Sequence, residues 1–414
     1  MTKQPRIRKK KYFLKSFSLQ YQFQFLSITA AVAAIFVIIG LVATQPKTKF
    51  SLELSSQSSI RLQKKFSLPL PSPQSSGSFI SPRGSVLPLT EPHPLSAYAI
   101  RRKRQPTQEL GYNFTPSTLQ KSRKLQPVVD EVINLAISKN FPIESLSVSL
   151  INVNSGETAD YQEEKLRYPA SVVKLLWLVA IYSYFETGIL QKPKQFSTDL
   201  YKMLKKSDNE AASRLLDLIT NTKSGSKLSP QEYQTWLNKR YSINRFFQKA
   251  GYRGINISQK TFPIPSEHMY EPKGRDLQMR GVSKKPTRNK ISTQQVARLM
   301  YEIFTGRAIS KEYSQNLQQW LTWDLSSSYW KNLDPNTGSF NPIRTFFGES
   351  LPTNIYFASK AGWTSSTRQE VAYISNGKTA YILVVFAEDR AYAQNRKIFP
   401  QISRLVFERM TSYN

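Results

Sequence analysis

Ser171-Val172-Val173-Lys174-Leu175-Leu176-Trp177-Leu178-Val179-Ala180 places a hydroxyl and an amine three positions apart at the head of an otherwise apolar run. Residues three apart on a helix share a face, so the Lys174 amine can approach the Ser171 oxygen. Apolar surroundings disfavour a charged ammonium, and a neutral lysine can take a serine proton. The helix start adds a partial positive charge where an oxyanion would form. The bare Ser-x-x-Lys string says little, because it recurs at Ser224–Lys227, Ser328–Lys331 and Ser375–Lys378. Those copies lie in a Gly/Ser loop, a Trp/Tyr-rich polar stretch and an Asn-Gly turn, and none opens an apolar helix.

The rest of the composition narrows the chemistry. The 414 residues include no cysteine, which excludes disulfides and thiolate metal sites. His93 and His268 are the only histidines, which argues against a His-rich metal centre or a Ser-His-Asp triad and leaves lysine as the base. Neither a metal nor a cofactor is expected. The formal charge of +30, from 58 basic and 28 acidic residues, raises nucleic acid, anionic lipid or an acidic polymer as partners. No nucleic-acid recognition motif accompanies the charge, so nucleic acid is not expected.

Phe25 to Ala43 is a run of 19 residues without a charge, preceded by seven Lys or Arg and no acid. This predicts a single membrane span, with the N-terminus inside and the bulk of the chain periplasmic or otherwise extracytoplasmic. The apolar run is longer than the usual core of a cleaved signal, about 7 to 15 residues. Four regions follow: a basic cytoplasmic head at 1–24, a transmembrane helix at 25–44, a disordered Ser/Pro/basic linker at 45–125 and a folded domain at 126–414. Within the linker, Arg101-Arg102-Lys103-Arg104 reads as a solvated charge run, with wall-polymer binding as the alternative.

Within the domain, apolar periodicity predicts a helix from about Val128 to Ile137 and a strand at Leu146–Val153. Further helices are expected at Ala170–Phe185, Asp199–Lys206, Glu210–Ile219, Pro230–Lys239 and Thr293–Phe304. Strands are expected at Phe357–Ala361, Glu370–Ser375 and Ala380–Ala387, with Asn376-Gly377 as a hairpin turn. A last helix spans Ile398–Met410. The expected fold class is α+β: one antiparallel sheet built from distant segments, flanked by helices, with a helical lobe and a cleft between them. Trp320, Trp323, Tyr329 and Trp330 read as core packing, the alternative being stacking on wall sugars.

Two more motifs join the first. Ser207-Asp208-Asn209 precedes an apolar helix, where a hydroxyl and an amide can point into a cleft, although all three types are also preferred helix caps. Lys360-Ala361-Gly362 ends a predicted strand, where an ammonium can hold a carboxylate and a glycine lets a substrate backbone lie close. In this order, S-x-x-K, S-D-N and K-x-G resemble the class A β-lactamase and penicillin-binding protein superfamily.

That resemblance covers roughly Pro127 to Asn414. It implies an acyl-enzyme mechanism on a β-lactam or a D-Ala-D-Ala-like peptidoglycan peptide. Ser171 would be the nucleophile, Lys174 its base and Ser207 a proton shuttle. Asn209 would contact the substrate amide and Lys360 the substrate carboxylate or Ser207, with Gly362 beside it. The backbone N–H groups of Ser171 and Trp363 would form the oxyanion hole. Departures matter too. Ala361 stands where the family has Ser or Thr, and Thr364, Ser365 or Ser366 would have to substitute. No Glu-x-x-x-Asn occurs in the basic stretch from Gly251 to Lys290, leaving Glu267 and Glu271 as candidate deacylation bases, with Asp276 behind them. The alternative expectation is a catalytically degenerate domain that binds wall peptide or a partner protein.

Overall fold

The computed structural model describes residues 111–192, 196–282, 285–333 and 340–412. The basic head, the predicted span at 25–44, Arg101–Arg104 and most of the linker lie outside these residues. No helix among the described residues is long and apolar enough to cross a membrane.

The strands are β1 (Gln120–Lys121), β2 (Leu146–Asn152), β3 (Glu157–Tyr161), β4 (Thr322–Trp323), β5 (Tyr356–Thr364), β6 (Thr367–Ser375) and β7 (Ala380–Ala387). The helices are α1 (Gln126–Ser138), α2 (Val173–Glu186), α3 (Phe196–Lys205), α4 (Asn209–Thr220), α5 (Pro230–Arg240), α6 (Ser242–Gln248), α7 (Gly274–Arg280), α8 (Thr293–Phe304), α9 (Lys311–Leu321), α10 (Ser328–Lys331), α11 (Arg390–Gln394) and α12 (Ile398–Ser412). The sheet runs β1-β3-β2-β7-β6-β5-β4.

The expected all-antiparallel sheet needs correcting, because β1 pairs with β3 in parallel, Gln120 opposite Glu157, which makes the sheet mixed. Residues 111–125, assigned to the linker by composition, belong to the domain. Tyr112 is buried and bonds Phe246 O, and Leu125 is fully buried. Short polar segments carry too little apolar periodicity to announce a strand, and β1 exists only because β3 supplies its partner edge.

Strand alternation divides the interior in two. On β7, Ile382, Val384 and Phe386 face a cluster formed with α2, α4, α8 and α9, whereas Leu383, Val385 and Ala387 face α1 and α12. Helix α2 is buried on every side from Val173 to Phe185, as an all-round apolar helix must be, and it anchors the lobe to the sheet. The buried indole of Trp177 donates to Ile257 O at 2.7 Å, so this burial strands no polar group.

One buried carboxyl departs from that economy. Glu370 on β6 sits opposite Ala361, fully buried, and Oε2 accepts from the Phe347 N–H at 2.8 Å. Oε1 and the buried Ser359 Oγ have no hydrogen-bond partner among the described residues. Burial pushes the Glu370 carboxyl up to about 8, against the opposing pull of the Phe347 N–H, the nearby Ser359 hydroxyl, Arg368 and Lys360. The folded state therefore holds a proton that the unfolded chain releases near its ordinary value of 4.5. Stability from this group is complete below that value and is lost as pH rises through about 8. Glu370→Gln stays neutral and offers Ser359 an amide donor. Its stability in denaturant titrations is expected to exceed wild type by an amount that grows with pH, levelling near about 5 kcal/mol above pH 8; pH profiles that run parallel would contradict this.

Candidate active site

The segment around Ser171 is held in strained backbone. Ala170, one residue before Ser171, has φ 46°, and Ser207 has φ 53°. Left-handed non-glycine residues cost on the order of 1–3 kcal/mol each and persist only where surroundings hold them. At Ala170 the holding group is Gln369 on β6. Its side-chain N–H donates to Tyr168 O at 2.7 Å while its Oε1 accepts from the Ala387 N–H at 2.7 Å. Gln369 thus rivets the loop before the nucleophile to the sheet.

Gly362 meets the same segment from β5. A Cβ there would lie 2.7 Å from Ser171 N and 3.0 Å from Pro169 O, inside any tolerable contact. The reading that this glycine admits a substrate backbone is therefore replaced by a closer one: it admits the backbone of Ser171 itself. The Ser171 N–H consequently lies beside the strand segment that carries the Trp363 N–H.

Lys174 is fully buried, and its Nζ lies 2.6 Å from Ser207 O and 2.8 Å from Asn209 Oδ1. Burial first, then the nearby Lys360 charge, holds this amine well below the ordinary lysine range, with Asp208 opposing. A neutral amine has two N–H bonds and one lone pair. The two oxygens account for both N–H bonds, which leaves the lone pair for a proton acceptor role one turn from Ser171.

The left-handed turn at Ser207 also sends its hydroxyl towards Lys360 Nζ, at 3.2 Å. Lys360 is buried, donates to Ala361 O at 2.7 Å and lies over the Phe340 ring. Burial pulls its amine down to about 7, with Glu370 pulling the other way. Ser207 therefore stands between two amines, its carbonyl on one and its hydroxyl on the other.

Within Ser207-Asp208-Asn209 the capping role falls to the middle residue. Asp208 has extended backbone and accepts from the Ala211 N–H at 2.7 Å, closing the start of α4. That frees Ser207 and Asn209 for the cleft.

The side chains of the remaining candidates bond to other partners. Thr364 Oγ1 shares the β5–β6 turn with Ser366 and Thr367, at 3.4 and 3.3 Å. The Trp363 side chain is half-exposed and donates from Nε1 to Ala393 O, on the side of α11. Glu267 is 3.3 Å from Lys260, which also binds Asp217 at 2.7 Å, and Glu271 is exposed. Neither glutamate has a recorded contact with Ser171, Lys174, Ser207 or Lys360. Ala361 belongs to the apolar cluster under α1 and α12.

Lys205, at the end of α3, was not singled out by its sequence context, where a Lys-Lys pair reads as solvated. Its Nζ reaches Thr322 O at 2.5 Å and lies 4.3 Å from the Trp323 ring centroid, so it straps the turn before Ser207 to strand β4. Gln369 escaped as well, although a polar residue at an inward strand position was the available signal. Trp320 packs inside, bonded to Tyr182 OH, and Trp323 bonds Ser359 O; the Tyr329 side chain lies outside the described residues.

The sequence profile of the beta-lactamase enzyme family matches residues 127–410. The chain belongs to this family. Among solved structures, the β-lactamase of Sphaerobacter thermophilus DSM 20745 is 17% identical over 70% of this chain and 98% of its own, with a TM-score of 0.48. An ancestral class A β-lactamase, reconstructed for the last common ancestor of Gram-negative bacteria, is 16% identical over 68% of this chain and 99% of its own, at TM-score 0.47. The structure of PBP-A is 15% identical over 72% of this chain and all of its own, 100%, also at 0.47. Comparison with curated proteins returns no match.

The Gly362 contact makes a direct prediction. Gly362→Ala is expected to lower stability by about 1–3 kcal/mol, because the displaced neighbour is backbone that cannot swing aside. Urea unfolding measures it, and an unchanged midpoint would contradict the contact.

Proposed function

We propose that this chain is a serine acyl-transfer hydrolase that is acylated at Ser171 by β-lactams or by D-Ala-D-Ala-like ends of peptidoglycan peptides. The observation that carries the reading is the Lys174 amine, buried and held by two oxygens one turn from Ser171. In the proposed sequence, Lys174 takes the Ser171 proton as Oγ attacks the carbonyl carbon. The oxyanion accepts from the Ser171 and Trp363 N–H groups. The carbon–nitrogen bond breaks, and the proton passes from Lys174 to the departing nitrogen through the Ser207 hydroxyl, which must turn from Lys360 towards Lys174 to carry it. Water then hydrolyses the ester. Asn209 orients the substrate amide and Lys360 binds its carboxylate.

Slow release of the acyl group fits the same geometry. Glu267 is committed to Lys260, and Glu271 is exposed, so neither supports fast activation of a deacylating water. This favours a penicillin-binding or peptidase role over an efficient β-lactamase. A catalytically silent binding domain is the weaker reading, since it leaves a strained serine and two depressed lysines without a purpose. The domain's proposed setting is the outer side of the cytoplasmic membrane, tethered by residues 25–44, which matches a wall substrate.

Intact-protein mass spectrometry after penicillin exposure tests the chemistry. Wild type is expected to gain the mass of one penicillin and to hold it for minutes or longer. Ser171→Ala is expected to gain none. Labelling that survives the substitution would move the nucleophile elsewhere.

The two amines also set a pH profile. Acylation needs Lys174 neutral, so kcat/KM rises from acid pH through its lowered value. Carboxylate binding needs Lys360 protonated, so kcat/KM falls as pH rises through about 7. The alkaline limb is expected to vanish for an acyl donor lacking the carboxylate; a limb common to both donors would remove Lys360 from that role.

A further inference from the structure

The lobe carries a second feature that the acylation chemistry does not use. Residues 221–290 hold 15 Lys or Arg against four Asp or Glu. The end of α4, the loop after it, helix α5 and the loop before α7 border an open cleft of about 1200 Å³. Leu218, Leu228, Trp236 and Met269 line its apolar part, and Arg214, Lys223, Lys239 and Arg275 supply its cations.

The charges around this cavity do not cancel. Asp217 is spent on two buried cations, Arg240 at 2.7 Å and Lys260 at 2.7 Å. Glu267 is spent on Lys260, and Glu232 closes the capping box of α5 with Ser229. Arg214 is matched by Asp199 at 2.6 Å. Among the described residues, Lys223 and Lys239 pair with no carboxylate, whereas Arg275 helps to lower the Glu232 carboxyl and donates to Ser226 O at 3.2 Å. Ser224, a lining residue, carries an enclosed hydroxyl with no partner.

The rim is also built rather than incidental. Gly274 has φ 51°, and a Cβ on it would lie 1.9 Å from Gly225 O, so only glycine allows the two rim loops to touch. The Arg275 N–H then bonds Gly225 O at 3.1 Å, fixing the arginine at the mouth.

Helix α4 joins this cavity to the reactive cluster. Asn209 at its start contacts Lys174, and Arg214, five positions on, lines the cavity. Along the axis five residues of helix span about 8 Å with a turn of about 140°, and Asp217 lies about 12 Å along and about 80° round from Asn209. An extended peptide covers that distance in about three to four residues.

We propose that this cavity is a subsite for the acidic arm of a peptide substrate, binding side-chain carboxylates three to five residues from the bond attacked at Ser171. The proposal rests on the acyl-transfer reading above and adds a substrate preference to it. Lys223, Lys239 and Arg275 receive the carboxylates, and Ser224 offers a hydroxyl.

Two acyl donors with the same reactive D-Ala-D-lactate ester end test it, one bearing two glutamates four residues upstream and the other two glutamines. Wild type at low salt is expected to favour the glutamate donor about tenfold in kcat/KM. The exposed double change Lys223→Glu, Lys239→Glu is expected to bring the ratio within twofold while leaving penicillin acylation of Ser171 unchanged. Equal use of both donors by wild type, or a preference that survives the double change, overturns the subsite. In Ser171→Ala, anisotropy of the labelled glutamate peptide reads binding without chemistry. Failure of penicillin to acylate wild type would therefore sink the acyl-transfer reading while peptide binding still judged the cavity. Binding of an oligonucleotide of equal charge as tightly as the peptide overturns the assignment to peptide.

Discussion

An uncharged amine enclosed in protein organises this molecule. Burial disfavours the charged form of Lys174, and its hydrogens are met by Ser207 O and Asn209 Oδ1. Both oxygens come from the turn between α3 and α4. That turn must therefore stay pressed against α2, and three devices press it. Asp208 caps α4, Lys205 ties the end of α3 to β4, and Lys360 reaches across from β5 to the Ser207 hydroxyl. Lobe and sheet meet through buried lysines.

The neighbouring positive charges reinforce one another's weakness. Lys360 stands near enough to Lys174 to depress it further. Glu370, on the opposite face of the sheet, partly restores Lys360 while remaining mostly protonated itself. An ionised carboxylate inside the cleft would stabilise both ammonium forms. The placement of the acid behind the strand keeps that influence weak.

Much of this was legible in the residues, for identifiable reasons. Helix α2 announces itself because every position from Val173 to Phe185 is buried, so apolar content needed no periodicity to be read. Strands β5 to β7 carry β-branched and aromatic residues around an Asn-Gly turn, and that chemistry is local. The three motifs were readable because each lies where an element begins or ends. What escaped depends on partners distant in sequence. Strand β1 is two polar residues that pair only because β3 is there. Gln369 looks like an ordinary strand residue until Tyr168, about 200 positions earlier, is brought beside it. Lys205 resembles a solvated helix end, and only Trp323 and Thr322 make it a strap. The membrane span and linker rest on composition alone.

The contrast between Ala361 and Gly362 carries a consequence for inheritance. Ala361 contributes to the cluster beneath α1 and α12, away from the reactive serine, whereas position 362 has no room for even one carbon. Every base change in a glycine codon that alters the encoded residue adds at least that carbon. Position 361 can therefore drift among small residues over generations, while every heritable change at its neighbour carries a cost in stability.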